Sequence, residues 1–183
     1  YLCDQSLEIA ESAVGKIEKS WEKLLSKKKF SKDEMTSFKN NLKITKLEDS
    51  PKETDLVIEA IVEDKLIKRN LFNQLHKIFS DKTILASNTS SLSISNMCID
   101  LPIERKKRCM GVHFFNPATI MKLVEVIEAS ETDSSILESL TSWFNKNKKV
   151  AVSCKEGPGF IVNRLNRNFY GEPMRIIQNL NEE

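Results

Sequence analysis

The amino-acid sequence predicts an α/β fold with a mainly parallel sheet, and three observations support this prediction. Short apolar runs of strand length recur along the chain. Segments in which apolar residues return at helical spacing alternate with these runs. No internal repeat or low-complexity tract interrupts the alternation. Because strands that alternate with helices are typical of crossover connections between parallel strands, we expect helices to flank the sheet.

The beginning of the chain is predicted to be helical. After Asp4, apolar residues recur at the spacing of a long amphipathic helix: Ala10, Ala13, Val14, Ile17, Trp21, Leu24 and Leu25. A second helix is expected after residues 31–34, which have the S-x-x-E form of a capping box. The run "LKIT" at 42–45 then predicts a strand.

The alternation of strands and helices fills the remainder of the chain. Strands are predicted at 55–61, 83–87, 109–115, 122–128 and 149–153, and helices at 64–80, 92–97, 135–144 and from Ile161 onward. Pro173 falls where this last helix should continue. Since an interior proline costs a helix about 3 kcal/mol, we expect Pro173 to prevent a single straight helix.

Composition narrows the class of protein. The 183 residues suffice for one ordinary domain, and 40% apolar with 30% charged residues is typical of a globular chain. A net charge of +2 gives no reason to expect a nucleic-acid or membrane-surface partner. No apolar run approaches the roughly 18 residues of a membrane span.

The cysteines point to free thiols in a reducing compartment. Cys3, Cys98, Cys109 and Cys154 lie far apart without a C-x-x-C pair, and the chain has only two histidines, so no metal site is predicted. No signal peptide is recognised, and we expect an intracellular protein. The opening "YLCD" and the closing "RIIQNLNEE" both look cut, so we also expect a fragment of a longer chain.

A carboxylate on an apolar strand is the most informative chemical feature. Glu125 shares a strand face with Leu123 and Ile127, and an unpaired buried carboxylate costs several kcal/mol. His113 lies near the end of the preceding strand, with "NP" at 116–117 as a turn signal between the two. Either the two side chains form an acid–base pair, or His113 ends a strand and Glu125 lies at a sheet edge.

Other candidate residues remain ambiguous from the sequence alone. Asp4 follows a strand-like stub and precedes a helix. An acid at this place either binds the ribose in a dinucleotide-binding sheet or caps the helix. The polar stretch 86–95 lies where a ligand crevice or a plain turn would be. Asn163 follows the "GPG" turn in the first helical turns, and turn chemistry does not explain it. His76 lies within a helix and is expected on the surface or half-buried.

Four stretches together resemble one family. "DLVIEAIVED", "ILASNTSSLSI", "GVHFFNPATIMKLVEVI" and "CKEGPGFIVNR" occur in the order and at the spacing of the nucleotide-binding domain of the L-3-hydroxyacyl-CoA dehydrogenases. These enzymes interconvert 3-hydroxyacyl-CoA and 3-ketoacyl-CoA with NAD in fatty-acid oxidation. The resemblance implies a Rossmann-like domain at 1–158, with a protruding helix–turn–helix at 6–42, and the start of a helical C-terminal domain at 159–183.

The resemblance also implies roles for individual residues. His113 would be the catalytic base, Glu125 its partner, Ser90 a ligand of the reacting oxygen and Asn163 a ligand of the thioester end. The residues expected to contact NAD are Asp4, Glu63, Lys68, Asn88, Ser90 and Asn116. Acyl-CoA would be the substrate, with no nucleic-acid, membrane or metal partner. The full-length enzyme would be a homodimer in the bacterial cytoplasm or the mitochondrial matrix.

The chain also departs from the family pattern. The first strand with its G-x-G-x-x-G loop and most of the helical C-terminal domain have no counterpart in the printed residues, so we expect weak NAD binding and little turnover. Three alternatives stay open: a non-catalytic nucleotide- or CoA-binding homologue, one domain of a multifunctional β-oxidation protein, and a related sugar-acid dehydrogenase. "HFFNP" has the acyl-CoA form rather than the sugar-acid form.

Overall fold

The structure, a computed structural model, describes residues 1–180 in two compact units. The first unit is Tyr1–Lys52, and the second begins at Glu53. The expected domain boundary after residue 158 stays a prediction. Of the expected C-terminal segment, residues 181–183 lie outside the described residues.

The first unit contains the expected helix–turn–helix. Helix α1 covers Leu7–Ser26 and helix α2 covers Lys32–Asn41. The predicted capping box is confirmed, because Glu34 N donates to Ser31 Oγ at 3.2 Å while Ser31 N donates to Glu34 Oε2 at 2.7 Å. The four-residue strand expected at 42–45 is wrong. Ile44 forms only an isolated parallel bridge with Leu2.

The second unit is built on a five-stranded sheet, in which the strands follow one another in chain order. They are β1 Leu56–Glu59, β2 Ile84–Ser87, β3 Cys109–Phe114, β4 Leu123–Glu128 and β5 Val150–Lys155. All neighbours are parallel except β3 and β4. The expected mainly parallel sheet is therefore confirmed. Strands β3 and β4 are antiparallel because the connection 115–122 is too short for a crossover.

Five helices accompany this sheet: α3 Lys65–Ile78, α4 Ile94–Met97, α5 Ile103–Lys106, α6 Ser134–Lys146 and α7 Val162–Leu180. Helix α5, a single turn, was not predicted. Helix α7 continues through Pro173, and the expectation that the proline keeps it from being straight stays a prediction. Pro173 and Phe169 are exposed, so water can reach the carbonyl that loses its helical partner.

The two faces of β3 and β4 have different roles. One face packs against α6 in an apolar cluster of Met110, Val112, Val124, Val126, Leu137, Leu140 and Phe144. The opposite face carries Gly111, His113, Glu125 and Ile127, in the register that pairs Gly111 with Ile127 and His113 with Glu125. Strand alternation therefore separates the core from the polar pair.

Two further predictions concern the whole of the described chain. All four cysteines are free, as expected. Within residues 1–180, none of the helices combines the length and the apolar composition that crossing a membrane requires.

Candidate active site

His113 and Glu125 lie directly opposite each other on β3 and β4. The distance from His113 Nδ1 to Glu125 Oε2 is 2.7 Å. Both side chains are buried, with His113 7% and Glu125 1% exposed. The contact expected between the imidazole and the carboxylate is therefore present, and the alternative of a sheet-edge glutamate is wrong.

The second oxygen of Glu125 binds the beginning of α7. Ile161 N and Val162 N donate to Glu125 Oε1 at 3.0 and 2.9 Å. The unpaired N–H groups and the dipole of a helix N-terminus favour a negative charge. Because both oxygens accept hydrogen bonds, this buried carboxylate is satisfied in its ionised form.

An ionised Glu125 determines the tautomer of His113. A carboxylate only accepts hydrogen bonds, so Nδ1 carries the proton that is donated to it. The other ring nitrogen, Nε2, then has a lone pair and can accept a proton. The ring centroids of Phe115 and Phe160 lie 4.6 and 6.0 Å from that of His113, so aromatic side chains surround the imidazole.

Gly111 leaves space on the same face of the sheet. A Cβ atom added at Gly111 would lie 2.8 Å from Ile127 Cδ1 and 2.9 Å from Ile127 Cβ. No side chain fits at this distance without a shift of the neighbouring strand. Glycine therefore lets Ile127 pack closely beside the His113–Glu125 pair.

Ser90 and Asn163 come together at the edge of a cavity. Asn163 Nδ2 donates to the carbonyl oxygen of Ser90 at 3.3 Å. Both residues line a cavity of about 630 Å³, together with Ser91, Gly159, Asn166, Arg167, Tyr170, Gly171 and Met174. The two residues expected to hold the substrate thus face one space.

Glu63 binds the turn that carries Ser90. Its Oε1 accepts from Ser90 N at 3.1 Å and from Ser90 Oγ at 3.5 Å, and it also accepts from Thr89 Oγ1. Burial alone would raise the pKa of Glu63. The hydrogen bonds from Thr89 and Ser90 and the charge of Lys68 outweigh burial, so the pKa of Glu63 lies below its usual value.

Lys68 lies deeper than a cleft-lining residue would. It is 1% exposed, and its Nζ donates to Glu59 Oε2 at 2.8 Å, to Glu59 Oε1 at 3.0 Å and to Ile61 O at 3.2 Å. Glu63 Oε2 lies 3.4 Å from the same ammonium. A direct contact of Lys68 with NAD stays a prediction.

Glu59 is the residue of this site that sequence reasoning missed. It lies on the apolar strand β1 and is 5% exposed. The signal that identified Glu125, a carboxylate within an apolar strand, is equally present in "LVIE". Applied to Glu59, it would have demanded a buried partner, and Lys68 is that partner.

The remaining residues expected to contact NAD are Asn88, Asn116 and Asp4. Asn88 follows β2, and its Oδ1 accepts from Phe114 N at 2.9 Å. Asn116 is exposed in the 115–122 connection, and Asp4 is exposed in the first unit, just before Ser6, the N-cap of α1. Carboxylates and amides suit the ribose hydroxyls and the carboxamide of a nicotinamide dinucleotide, so the chemistry of these side chains fits NAD.

His76 is half-buried within α3, as the sequence predicted. Across the described part of the chain, no group of three or more histidine, cysteine, aspartate or glutamate side chains has the arrangement of a metal site.

Known proteins share this sequence and this fold. Residues 1–157 match the family described as 3-hydroxyacyl-CoA dehydrogenase, NAD binding domain. The mitochondrial hydroxyacyl-coenzyme A dehydrogenase of Homo sapiens is 47% identical over 125 residues, which are 68% of this chain and 39% of that protein. A 3-hydroxybutyryl-CoA dehydrogenase of Clostridioides difficile is 38% identical over 149 residues, which are 81% of this chain and 52% of that protein.

A solved structure gives the same result. The crystal structure of 3-hydroxybutyryl-CoA dehydrogenase from Escherichia coli K12 superposes with a TM-score of 0.90 at 33% sequence identity, covering 97% of this chain and 37% of that one. The chain thus spans between a third and about half of these relatives' lengths. From its match over residues 1–157, the chain belongs to the family described as 3-hydroxyacyl-CoA dehydrogenase, NAD binding domain.

Proposed function

We propose that the full-length protein catalyses the NAD-dependent interconversion of L-3-hydroxyacyl-CoA and 3-ketoacyl-CoA in fatty-acid β-oxidation. One observation carries this proposal. The buried His113–Glu125 pair, with 2.7 Å between Nδ1 and Oε2, leaves one imidazole nitrogen as a base, as oxidation of a hydroxyl group requires.

His113 is the proposed acid–base catalyst. In the oxidation direction, Nε2 takes the proton of the substrate's 3-hydroxyl group as the carbon–hydrogen bond at carbon 3 breaks. Glu125 stabilises the imidazolium that forms, since its carboxylate already binds Nδ1. In the reverse direction the same imidazolium returns the proton to the carbonyl oxygen. The hydrogen bonds from Ile161 N and Val162 N to Glu125 Oε1 hold the carboxylate in place throughout this cycle.

Ser90 and Asn163 are the proposed substrate-positioning contacts. When substrate binds, the Ser90 hydroxyl turns its one proton from Glu63 Oε1, 3.5 Å away, to the reacting oxygen. Asn163 binds the thioester end of the acyl group. The bond from Asn163 Nδ2 to Ser90 O supports a shared role, because it fixes the distance between the two residues. Holding the substrate in one orientation lowers the entropic part of the barrier.

The cofactor residues are proposed on the chemistry of their side chains. When bound, NAD supplies the acceptor for the hydride from carbon 3. Asp4 is proposed to bind the adenosine ribose, and Glu63, Lys68, Asn88 and Asn116 to contact the nicotinamide half. Within the described residues, the amide nitrogen of Asn88 has no hydrogen-bond partner, so it can donate to a ligand.

The proposed partners are the acyl-CoA substrate and a second copy of the protein. Helix α7 exposes the apolar side chains of Leu165, Phe169, Met174, Ile176 and Ile177. Their exposure supports a homodimer of the full-length enzyme in which further helical structure covers α7.

We also propose the bacterial cytoplasm or the mitochondrial matrix as the compartment of the full-length enzyme, since the relatives include a mitochondrial and a bacterial enzyme.

An NADH-oxidation assay with acetoacetyl-CoA tests the proposed function. The full-length gene product should oxidise NADH only when acetoacetyl-CoA is present, and the 183-residue chain assayed alongside should show little turnover. NADH binding without any oxidation would favour a non-catalytic nucleotide-binding homologue. A sugar-acid substrate that is reduced faster than acetoacetyl-CoA would contradict the proposed substrate class.

A further inference from the structure

Glu59 is the last residue of β1, and both oxygens of its carboxylate accept hydrogen bonds from other groups of the protein. Its Oε2 accepts from Lys68 Nζ at 2.8 Å and from Ile61 N at 3.1 Å. Its Oε1 accepts from Lys68 Nζ at 3.0 Å and from the hydroxyl group of Ser87. The side chains of Glu59 and Lys68 are 2% and 1% exposed, so this ion pair is almost completely removed from water.

A first route leads from Glu59 to the turn that carries Ser90 through β2. The hydroxyl group of Ser87, itself 0% exposed, donates to Glu59 and accepts from Thr89 N at 3.2 Å. Glu59 therefore fixes the hydroxyl that binds the backbone immediately before Ser90. Thr89 is also fully buried, so the turn has no alternative partner in water on this side.

A second route leads through α3. Lys68 Nζ lies 3.4 Å from Glu63 Oε2, and Glu63 Oε1 accepts from Ser90 N at 3.1 Å. The position of the ammonium group thus determines where the Glu63 carboxylate rests. With Glu59 in place, Lys68 is held between two carboxylates instead of moving onto one of them.

We propose that Glu59 is a positioning residue for catalysis, one that holds Ser90 toward the substrate through Ser87 and through the Lys68–Glu63 pair. This inference rests on the proposed function, because it presumes that Ser90 contacts the reacting oxygen. A buried ion pair is a costly way to stabilise a fold, since well-packed apolar residues do so equally well. This ion pair reaches the turn that carries Ser90 by two routes, through Ser87 and through Glu63. The two routes support a role in positioning Ser90.

A double-mutant cycle on the full-length enzyme tests the inference. In the wild-type background, Glu59→Gln should lower kcat for acetoacetyl-CoA reduction by about 10-fold or more, because small misplacements of a substrate contact are costly. In the Ser90→Ala background the same substitution should lower kcat by less than about two-fold, because the group it positions is gone. A merely structural role would give equal losses in both backgrounds.

Controls separate the possible outcomes. Asp100→Asn breaks the exposed ion pair with Arg69, the residue next to Lys68 on α3, and should leave kcat unchanged. If Glu59→Gln does not fold, Ser87→Ala removes one route without leaving a charge unpaired, and the same cycle is measured with it. Equal losses in both backgrounds, or none in the wild type, would overturn the inference alone. A wild-type enzyme without acetoacetyl-CoA reduction would overturn the proposed function and the inference with it.

Discussion

Glu125 binds His113 through one carboxylate oxygen and the beginning of α7 through the other. The 2.7 Å contact joins two neighbouring strands, and the bonds from Ile161 N and Val162 N join the same carboxylate to a helix. Asn163 is the second residue of α7, and its Nδ2 donates to the carbonyl oxygen of Ser90. A single carboxylate therefore connects the proposed base to the proposed substrate contacts.

Glu125→Gln tests whether the charge of this carboxylate matters. The amide keeps the size of the side chain, but its NH2 group donates to Nδ1, so the imidazole proton moves to Nε2 and the base is lost. We expect kcat of the full-length enzyme to fall by about 100-fold or more, the scale of lost acid–base catalysis. Steady-state NADH oxidation with acetoacetyl-CoA measures this.

Glu128→Gln is the matched control for that substitution. Glu128 lies on the same strand but on the opposite face, where it accepts from Ser134 Oγ at 3.2 Å. The control should retain kcat within about two-fold, as expected for a distant and independent site. Equal losses in the two variants would mean that any change on β4 disturbs the enzyme.

The thiol of Cys154 provides a readout of the same charge that does not depend on activity. Burial, and secondly the negative charge of Glu125, raise the pKa of Cys154 from 9.0 to about 11. Since only the thiolate reacts, alkylation of Cys154 should be slow at mildly alkaline pH and accelerate as the pH rises toward that pKa.

In Glu125→Gln the second cause disappears while burial remains. The pKa of Cys154 should fall but stay above its usual value, so alkylation at a given pH below the pKa becomes faster. Iodoacetamide labelling across a pH series, followed by peptide mass spectrometry, measures the profile. An unchanged profile would indicate that residue 125 carries no charge in the folded wild-type protein.

Gly111→Ala tests the close packing beside the pair. The added Cβ would lie 2.8 Å from Ile127 Cδ1, and overpacking of this kind costs about 1–3 kcal/mol in the free energy of unfolding. Gly171→Ala is the control, because nothing lies within 4 Å of its added Cβ, and alanine favours a helix by about 0.5–1 kcal/mol. Urea unfolding measures the free energy of unfolding of both variants. Equal values for the two would contradict the close contact between Gly111 and Ile127.

Much of the fold was predictable from local pattern. Each strand of the second unit was expected within a few residues of its observed bounds, because apolar runs between polar turns define strands independently of their neighbours. The antiparallel direction of β4 was not predicted, since the same apolar run suits either direction. The strand predicted at 42–45 was wrong, because within the described residues Ile44 forms a single bridge, to Leu2, and one bridge does not make a strand.

The part of the site that follows from the alternation of side chains along a single strand was predictable from the sequence. Glu125 on an apolar face demanded a partner, and the turn before it brought His113 opposite. The contact between Asn163 and Ser90 joins residues 73 positions apart and depends on where α7 begins, which no local pattern specifies. Glu59 was missed although its strand gives the same signal as that of Glu125.

The central claim is that His113 transfers the substrate proton, and the turnover of His113→Gln tests it most directly. The full-length variant should bind NADH like the wild type in a fluorescence titration, while kcat for acetoacetyl-CoA reduction falls by about 100-fold or more. Unchanged NADH binding with kcat close to that of the wild type would contradict the assignment of His113 as the catalytic base.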